Sequence, residues 1–205
     1  MTAAAPDEPG EVVKTDEQRL TDRNGPGRSP AVFDLDEELA RPTAEGRIAH
    51  AVIASLAAET TAPSLTRVQQ LVDAELAGYA PIEARAHRQN VRGMVHRYFA
   101  RCLPPRRFVF GGSEFDLGVG RPDLVWFDVD GFTLADEVKT GSPRSLRLST
   151  TEAQVERYRT ACVGVWGDRF LGIRLLSTTD PSSSRLILPD GGSAPLATTP
   201  YLEGT

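Results

Sequence analysis

Two runs rich in β-branched and aromatic residues, 123–129 and 132–139, meet at Asp130 and Gly131. That dipeptide between alternating runs commits the segment to an antiparallel hairpin, because a tight hairpin turn needs the left-handed backbone that Asp and Gly tolerate. With a two-residue loop, paired residue numbers add to 261. Val129 then faces Phe132, Leu124 faces Glu137 and Asp123 faces Val138. Side chains alternate with a period of two, so Glu137 and Lys139 share one face, and Asp136 and Val138 share the other. Two carboxylates (Asp123 and Glu137) and one ammonium (Lys139) converge at the open end of the hairpin. Asp136 points away from them, and its loss is expected to be mild.

A carboxylate pair with open positions suits a hard, oxygen-seeking ion such as Mg²⁺ or Mn²⁺. Such an ion polarises a phosphodiester and lowers the pKa of bound water, and a neighbouring lysine orients that water or stabilises the charge developing on phosphorus. The plainer alternative is a surface ion pair at a sheet end. Lysine usage favours the chemical reading. Of 23 basic residues only Lys14 and Lys139 are lysines, and lysine is a compact point charge with a movable pKa where arginine is not.

Charge is unevenly distributed. Residues 1–42 hold ten acids against five bases, the whole of the net −5, together with five prolines and one aromatic, Phe33. Such a segment buries too little apolar surface to offset its ordering entropy, so 1–42 is expected to be a disordered acidic tail or a loosely docked arm that touches the body through Val32–Leu39. By contrast, 84–107 carries seven arginines (85, 88, 92, 97, 101, 106 and 107) and no acid. A solvated helix face normally mixes both signs, so a phosphate-facing role stands beside the bland reading. Two cysteines exclude a disulfide-dense scaffold and a Cys-rich metal cluster. No apolar run approaches a membrane span, and MTAAAPDEPGEVV lacks the form of a signal peptide, so a cytoplasmic location is expected.

Apolar spacing predicts helices over 43–58, 64–76 and 83–103, the last stopped by Pro104 and Pro105. Strands follow at 107–110, 114–119, 123–129 and 132–139, then a helix over 151–161, a strand over 169–176 and a short strand at 185–188. Helices, a strand meander, a helix and a strand make an α/β (α+β) domain with one central sheet. The expected division is the arm 1–42, a domain 43–180 that includes a helical region 43–105, and a segment 181–205 with a short strand and a loose tail. Gly120 is expected to let the chain turn tightly before Asp123, and Trp126 and Phe127 to serve the core.

In Pro122-Asp123, thirteen further residues, then Glu137-Val138-Lys139, the chain resembles the PD-(D/E)xK nuclease signature. Gln154-Val-Glu-Arg-Tyr158 is similar to the Q-x-x-x-Y motif of the RecB-like and Cas4-like branch, its ends neighbours on one helix face. Gly46-Arg-Ile-Ala-His50 fits that branch's early G-x-x-x-H, and Glu114 resembles the acid often found on the strand before the aspartate. The resemblance spans about 44–176. It implies a restriction-endonuclease-like core, a central mixed sheet flanked by helices, with an extra N-terminal helical region. It also implies Asp123, Glu137 and His50 as ligands of Mg²⁺ or Mn²⁺ with the Val138 carbonyl, and Lys139 as the catalytic cation. The iron–sulfur cysteines of many relatives are missing, so no cluster is expected. No Walker motif is present, so any helicase, ATPase or defence-system subunit would be a separate partner.

Gln154 and Tyr158 are expected to orient a nucleotide or the lysine, and Arg144, Arg147 and Arg92 to contact DNA phosphates. His50 is preferred to His96 as the extra ligand on glycine spacing; His87 is expected to face solvent. The activity implied is a metal-dependent DNA nuclease, a RecB-like exonuclease of repair, recombination or defence against foreign DNA. The alternatives are a structure-specific or restriction-type endonuclease, and a non-cleaving DNA-binding or assembly subunit.

Overall fold

The computed structural model describes residues 43–59 and 63–196; the acidic arm and the last nine residues lie outside them. Three helices come first: α1 (Ala44–Ala57), α2 (Leu65–Glu75) and α3 (Pro81–Arg101). Thr43 and Ser64 start the first two, each hydroxyl accepting the N–H three residues on, at 3.0 and 3.1 Å. Those bonds satisfy donors that a helix start leaves orphaned. Pro81 opens α3, where its missing N–H costs nothing. Among the described residues no helix is long and apolar enough to cross a membrane.

Six strands then build one mixed sheet in chain order: β1 (Phe108–Ser113), β2 (Leu124–Asp128), β3 (Thr133–Lys139), β4 (Phe170–Ser177), β5 (Arg185–Ile187) and β6 (Ser193–Pro195). Only β3 and β4 pair in parallel, joined by α4 (Ser149–Trp166). A parallel pair needs such a crossover, and its strands are covered on both faces. One cluster packs Ile48, Val52, Val72, Val95 and Tyr98 from α1–α3 against Leu124, Trp126, Leu134 and Val138. The other packs Val155, Tyr158 and Cys162 of α4 against Ala135, Ile173 and Leu175. This is the expected α/β arrangement, a mixed sheet between helices.

The hairpin differs from expectation by one residue. Leu124 pairs with Asp136, Val125 with Ala135 and Trp126 with Leu134, so partners add to 260 and the loop is the three residues 129–131. The cause is Asp128, whose carboxylate accepts the N–H of Asp130 at 3.0 Å and of Phe132 at 2.8 Å. Its own N–H bonds the Phe132 carbonyl, and Gly131, at φ 79°, absorbs the extra residue. The correction moves Asp123 level with Glu137 rather than Val138. Face alternation within β3 is unaffected.

The predicted strand at 114–119 is absent. Glu114 has φ 50°, Gly118 76° and Gly120 145°, and the Asp116 carboxylate holds the Gly118 N–H at 2.8 Å; such a backbone cannot stay pleated. After 180 the expected short strand is present as β5. Pro189-Asp-Gly-Gly192 turns β5 into β6, with the Leu188 N–H on the Gly192 carbonyl.

Asp136 is the largest departure. It does point away from Glu137, but into the core and not toward solvent, and it is fully buried. Arg174 of β4 grips it through Nε at 2.6 Å and Nη2 at 2.5 Å. Tyr98 Oη and Trp126 Nε1 donate to it at 2.8 and 2.9 Å. Arg174 Nη1 also donates to the Cys102 carbonyl at 2.7 Å. Burial pushes the Asp136 carboxyl up, while Arg174, Tyr98 and Trp126 pull it back. His87 also departs from expectation. It is half-buried, its Nδ1 3.0 Å from Glu45 Oε1 and its ring edge-on to Tyr79, and so it ties α3 to α1.

Candidate active site

A cavity of about 670 Å³ opens where β3 ends, lined by His50, Glu114, Asp123, Glu137, Val138, Lys139, Gln154 and Tyr158 among others. Each is positioned by a different constraint. Asp123 precedes β2, and its Oδ2 accepts the Val138 N–H at 2.6 Å, which latches the hairpin's open end. Its Oδ1 lies 3.1 Å from Nδ1 of His50, delivered by α1. Gly46 makes this approach possible, because a Cβ there would sit 2.6 Å from Thr140 Oγ1.

Glu137 and Lys139 share the α4 face of β3. Lys139 Nζ donates to Glu137 Oε1 at 2.8 Å and to Gln154 Oε1 at 3.0 Å. Gln154 Nε2 in turn donates to Tyr158 Oη at 3.0 Å. One helix turn of α4 therefore fixes the ammonium through a relay of two polar side chains. Glu137 Oε2 is buried and, among the described residues, has no hydrogen-bond partner. Burial, reinforced by the charge of Asp123, pushes the Glu137 carboxyl up to about 7. Burial and Asp123 also raise Glu114. Burial pushes the His50 imidazolium down, but Asp123 and Glu137 outweigh it and the net shift is upward.

These groups fit a divalent cation. An orphaned buried carboxylate oxygen is costly, and here it stands beside a second carboxylate and an imidazole, a donor set suited to Mg²⁺ or Mn²⁺. The set is not a finished cage. Among the described residues no three His, Cys, Asp or Glu side chains converge as one, since His50 is turned to Asp123 and Glu137 to Lys139.

Other expected residues lie elsewhere. Arg144 and Arg147 are exposed on the 3₁₀ turn Pro143–Arg147, from which Ser145 lines the cavity. Arg92 and His96 line a separate groove between α2 and α3. Arg47, Arg121 and Thr150 line the cavity without having been singled out in the sequence. Adjacency to Pro122-Asp123 was the available signal for Arg121, which also reaches Asp116 at 3.5 Å.

Gly120 takes φ 145°, and a Cβ there would meet Tyr158 Cε1 at 2.4 Å. Gly120→Ala is therefore expected to displace Tyr158 and cost about 1–3 kcal/mol through overpacking. Thermal melting checks this, and a fall of under 1 °C would show that the ring yields freely.

A family model described as the PD-(D/E)XK nuclease superfamily matches residues 19–177, which include every cavity residue named above. A search of curated proteins returned no match.

Proposed function

Because this chain belongs to the PD-(D/E)XK nuclease superfamily, a class of metal-dependent phosphodiester hydrolases, we propose that it is a RecB-like DNA exonuclease. The observation that carries the reading is the orphaned Glu137 Oε2 beside Asp123, with Lys139 held alongside by Gln154. Asp123, Glu137 and His50, with the Val138 carbonyl, are the residues that would hold Mg²⁺ or Mn²⁺. That ion, when bound, polarises the scissile phosphodiester and acidifies a water.

The chain's own groups do the rest. Lys139 presents its ammonium to the attacking water and to the charge that builds on phosphorus, a contribution that is strongest where the donor is already fixed. Gln154 supplies that fixation by accepting from Nζ, and Tyr158 holds Gln154. Glu114 adds negative charge at the rim, facing Asp123. The Lys139–Gln154–Tyr158 relay supports assignment to the RecB-like branch, because it gives both ends of the Q-x-x-x-Y motif a task at the catalytic lysine. The same domain could serve repair, recombination or defence beside a separate motor subunit.

The test is incubation with labelled linear and circular DNA, single- and double-stranded, in Mg²⁺, Mn²⁺ or EDTA. Metal-dependent shortening of linear DNA from its ends, with circles spared, is the expected result. Cleavage of circles would reassign the protein as an endonuclease. No hydrolysis in either metal would leave the non-cleaving DNA-binding subunit.

A further inference from the structure

Away from this cavity, α2 and α3 enclose a groove of about 570 Å³. Arg85, Arg88, Arg92 and His96 line it from α3, with Leu65 and Val68 from α2, and among the described residues no acidic side chain lines it. No residue lines both cavities. The α3 groups recur at three- and four-residue steps and so form one stripe. At 1.5 Å rise per residue, the stripe spans about 16 Å. Asp73 holds Arg88 at 2.7 Å. Among the described residues Arg85 and Arg92 have no carboxylate partner, although Arg92 is half-buried.

A concave row of like charges needs regularly spaced anions. One strand of a DNA duplex carries a phosphate every ~3.4 Å of axis while winding around it, so a straight stripe of this length meets about two or three of them. Guanidinium forks match phosphate oxygens in pairs, which suits arginine at these positions better than lysine. The acidic segment 1–42 is the competing occupant, but its ten acids are interspersed with five bases and make no regular array.

We propose that the α2–α3 groove is a second, sequence-independent track for the DNA phosphate backbone, separate from the cleavage cavity. The proposal takes its ligand from the nuclease reading but needs none of the cleavage chemistry. Fluorescence anisotropy with a labelled duplex in EDTA, titrated with KCl, tests it. For Arg85→Ala/Arg92→Ala the slope of log K against log salt should become shallower by about 1.8, roughly 0.9 per lost phosphate contact. Affinity at moderate salt should fall at least about tenfold. Arg101→Ala, on α3 but outside the groove, should change the slope by less than about 0.5.

An unchanged slope in the double variant, or an equal change in Arg101→Ala, would overturn the track. Tighter DNA binding by the double variant would assign the groove to the acidic segment and overturn it too. Wild-type cleavage with an unchanged slope would sink the track alone. A wild type that neither binds nor cuts DNA would sink it together with the nuclease reading. Should the alanine pair melt early, Arg85→Gln/Arg92→Gln keeps the side-chain stems and decides by the same slope.

Discussion

Glu137→Gln, Asp123→Asn and Lys139→Ala are each expected to lower metal-supported DNA cleavage by about a hundredfold to a thousandfold, and in Glu137→Gln the melting temperature is expected to hold or rise. On the proposed roles, the loss follows from removing a carboxylate that would hold the metal, or the ammonium that Gln154 fixes beside it, where a single preorganised donor is worth about 10²–10³ in rate. The stability half is the less intuitive one. Glu137 is buried, its Oε2 has no partner among the described residues, and burial with Asp123 drives its carboxyl up. A neutral amide of the same shape relieves that arrangement, the familiar exchange of stability for activity at a functional site. Hydrolysis of labelled DNA and differential scanning fluorimetry read the two halves on the same samples. A Glu137→Gln variant that loses activity only as its melting point collapses would make the trio structural. His50→Ala should weaken Mn²⁺ binding by calorimetry where His96→Ala does not, because only His50 reaches Asp123.

The trio was legible because its placement depends on little. Side-chain alternation along β3 is independent of turn length, so Glu137 and Lys139 share a face whether partners add to 260 or 261. What could not be read was the turn, since Asp130-Gly131 signals two residues and only the Asp128 carboxylate capturing two N–H groups makes it three. The 114–119 segment misled for a related reason. Its alternating apolar residues looked like a strand, but Gly118, Gly120 and Glu114 at positive φ turn it into a loop, and φ is not written in hydropathy. Gly46, His50, Gln154 and Tyr158 could be found because each sits at fixed helical spacing from a second marker. The arginines at 144, 147 and 92 could not be assigned to the cavity, because a cation on a loop or helix carries no register with a distant strand.

Asp136 shows most sharply what one chain conceals. Its place opposite Glu137 follows from strand periodicity, but nothing local says whether the opposite face meets water or core. The clue was Arg174, a lone charge in the apolar run FLGIRLL, since a buried cation demands a partner. Asp136→Ala is accordingly expected to be severe. It leaves a fully buried guanidinium unpaired and withdraws the acceptor of Tyr98 Oη and Trp126 Nε1. Breaking one side of a buried pair costs about 3–5 kcal/mol, which in a domain of this size is roughly 6–20 °C of melting temperature. Arg174→Met alone should cost a similar amount. Asp136→Leu/Arg174→Met should recover much of it, because removing both charges also removes their desolvation, but not all, since the Tyr98 and Trp126 donors stay orphaned. With Asp136→Leu as the matching single variant, thermal and urea melts of wild type, Asp136→Leu, Arg174→Met and the double variant form a double-mutant cycle with a coupling of at least about 2 kcal/mol expected. A single-variant loss below about 1 kcal/mol would mean that water reaches Arg174. Activity should track the fraction folded, in contrast to Glu137 one residue away, where activity is lost from a protein that still melts high.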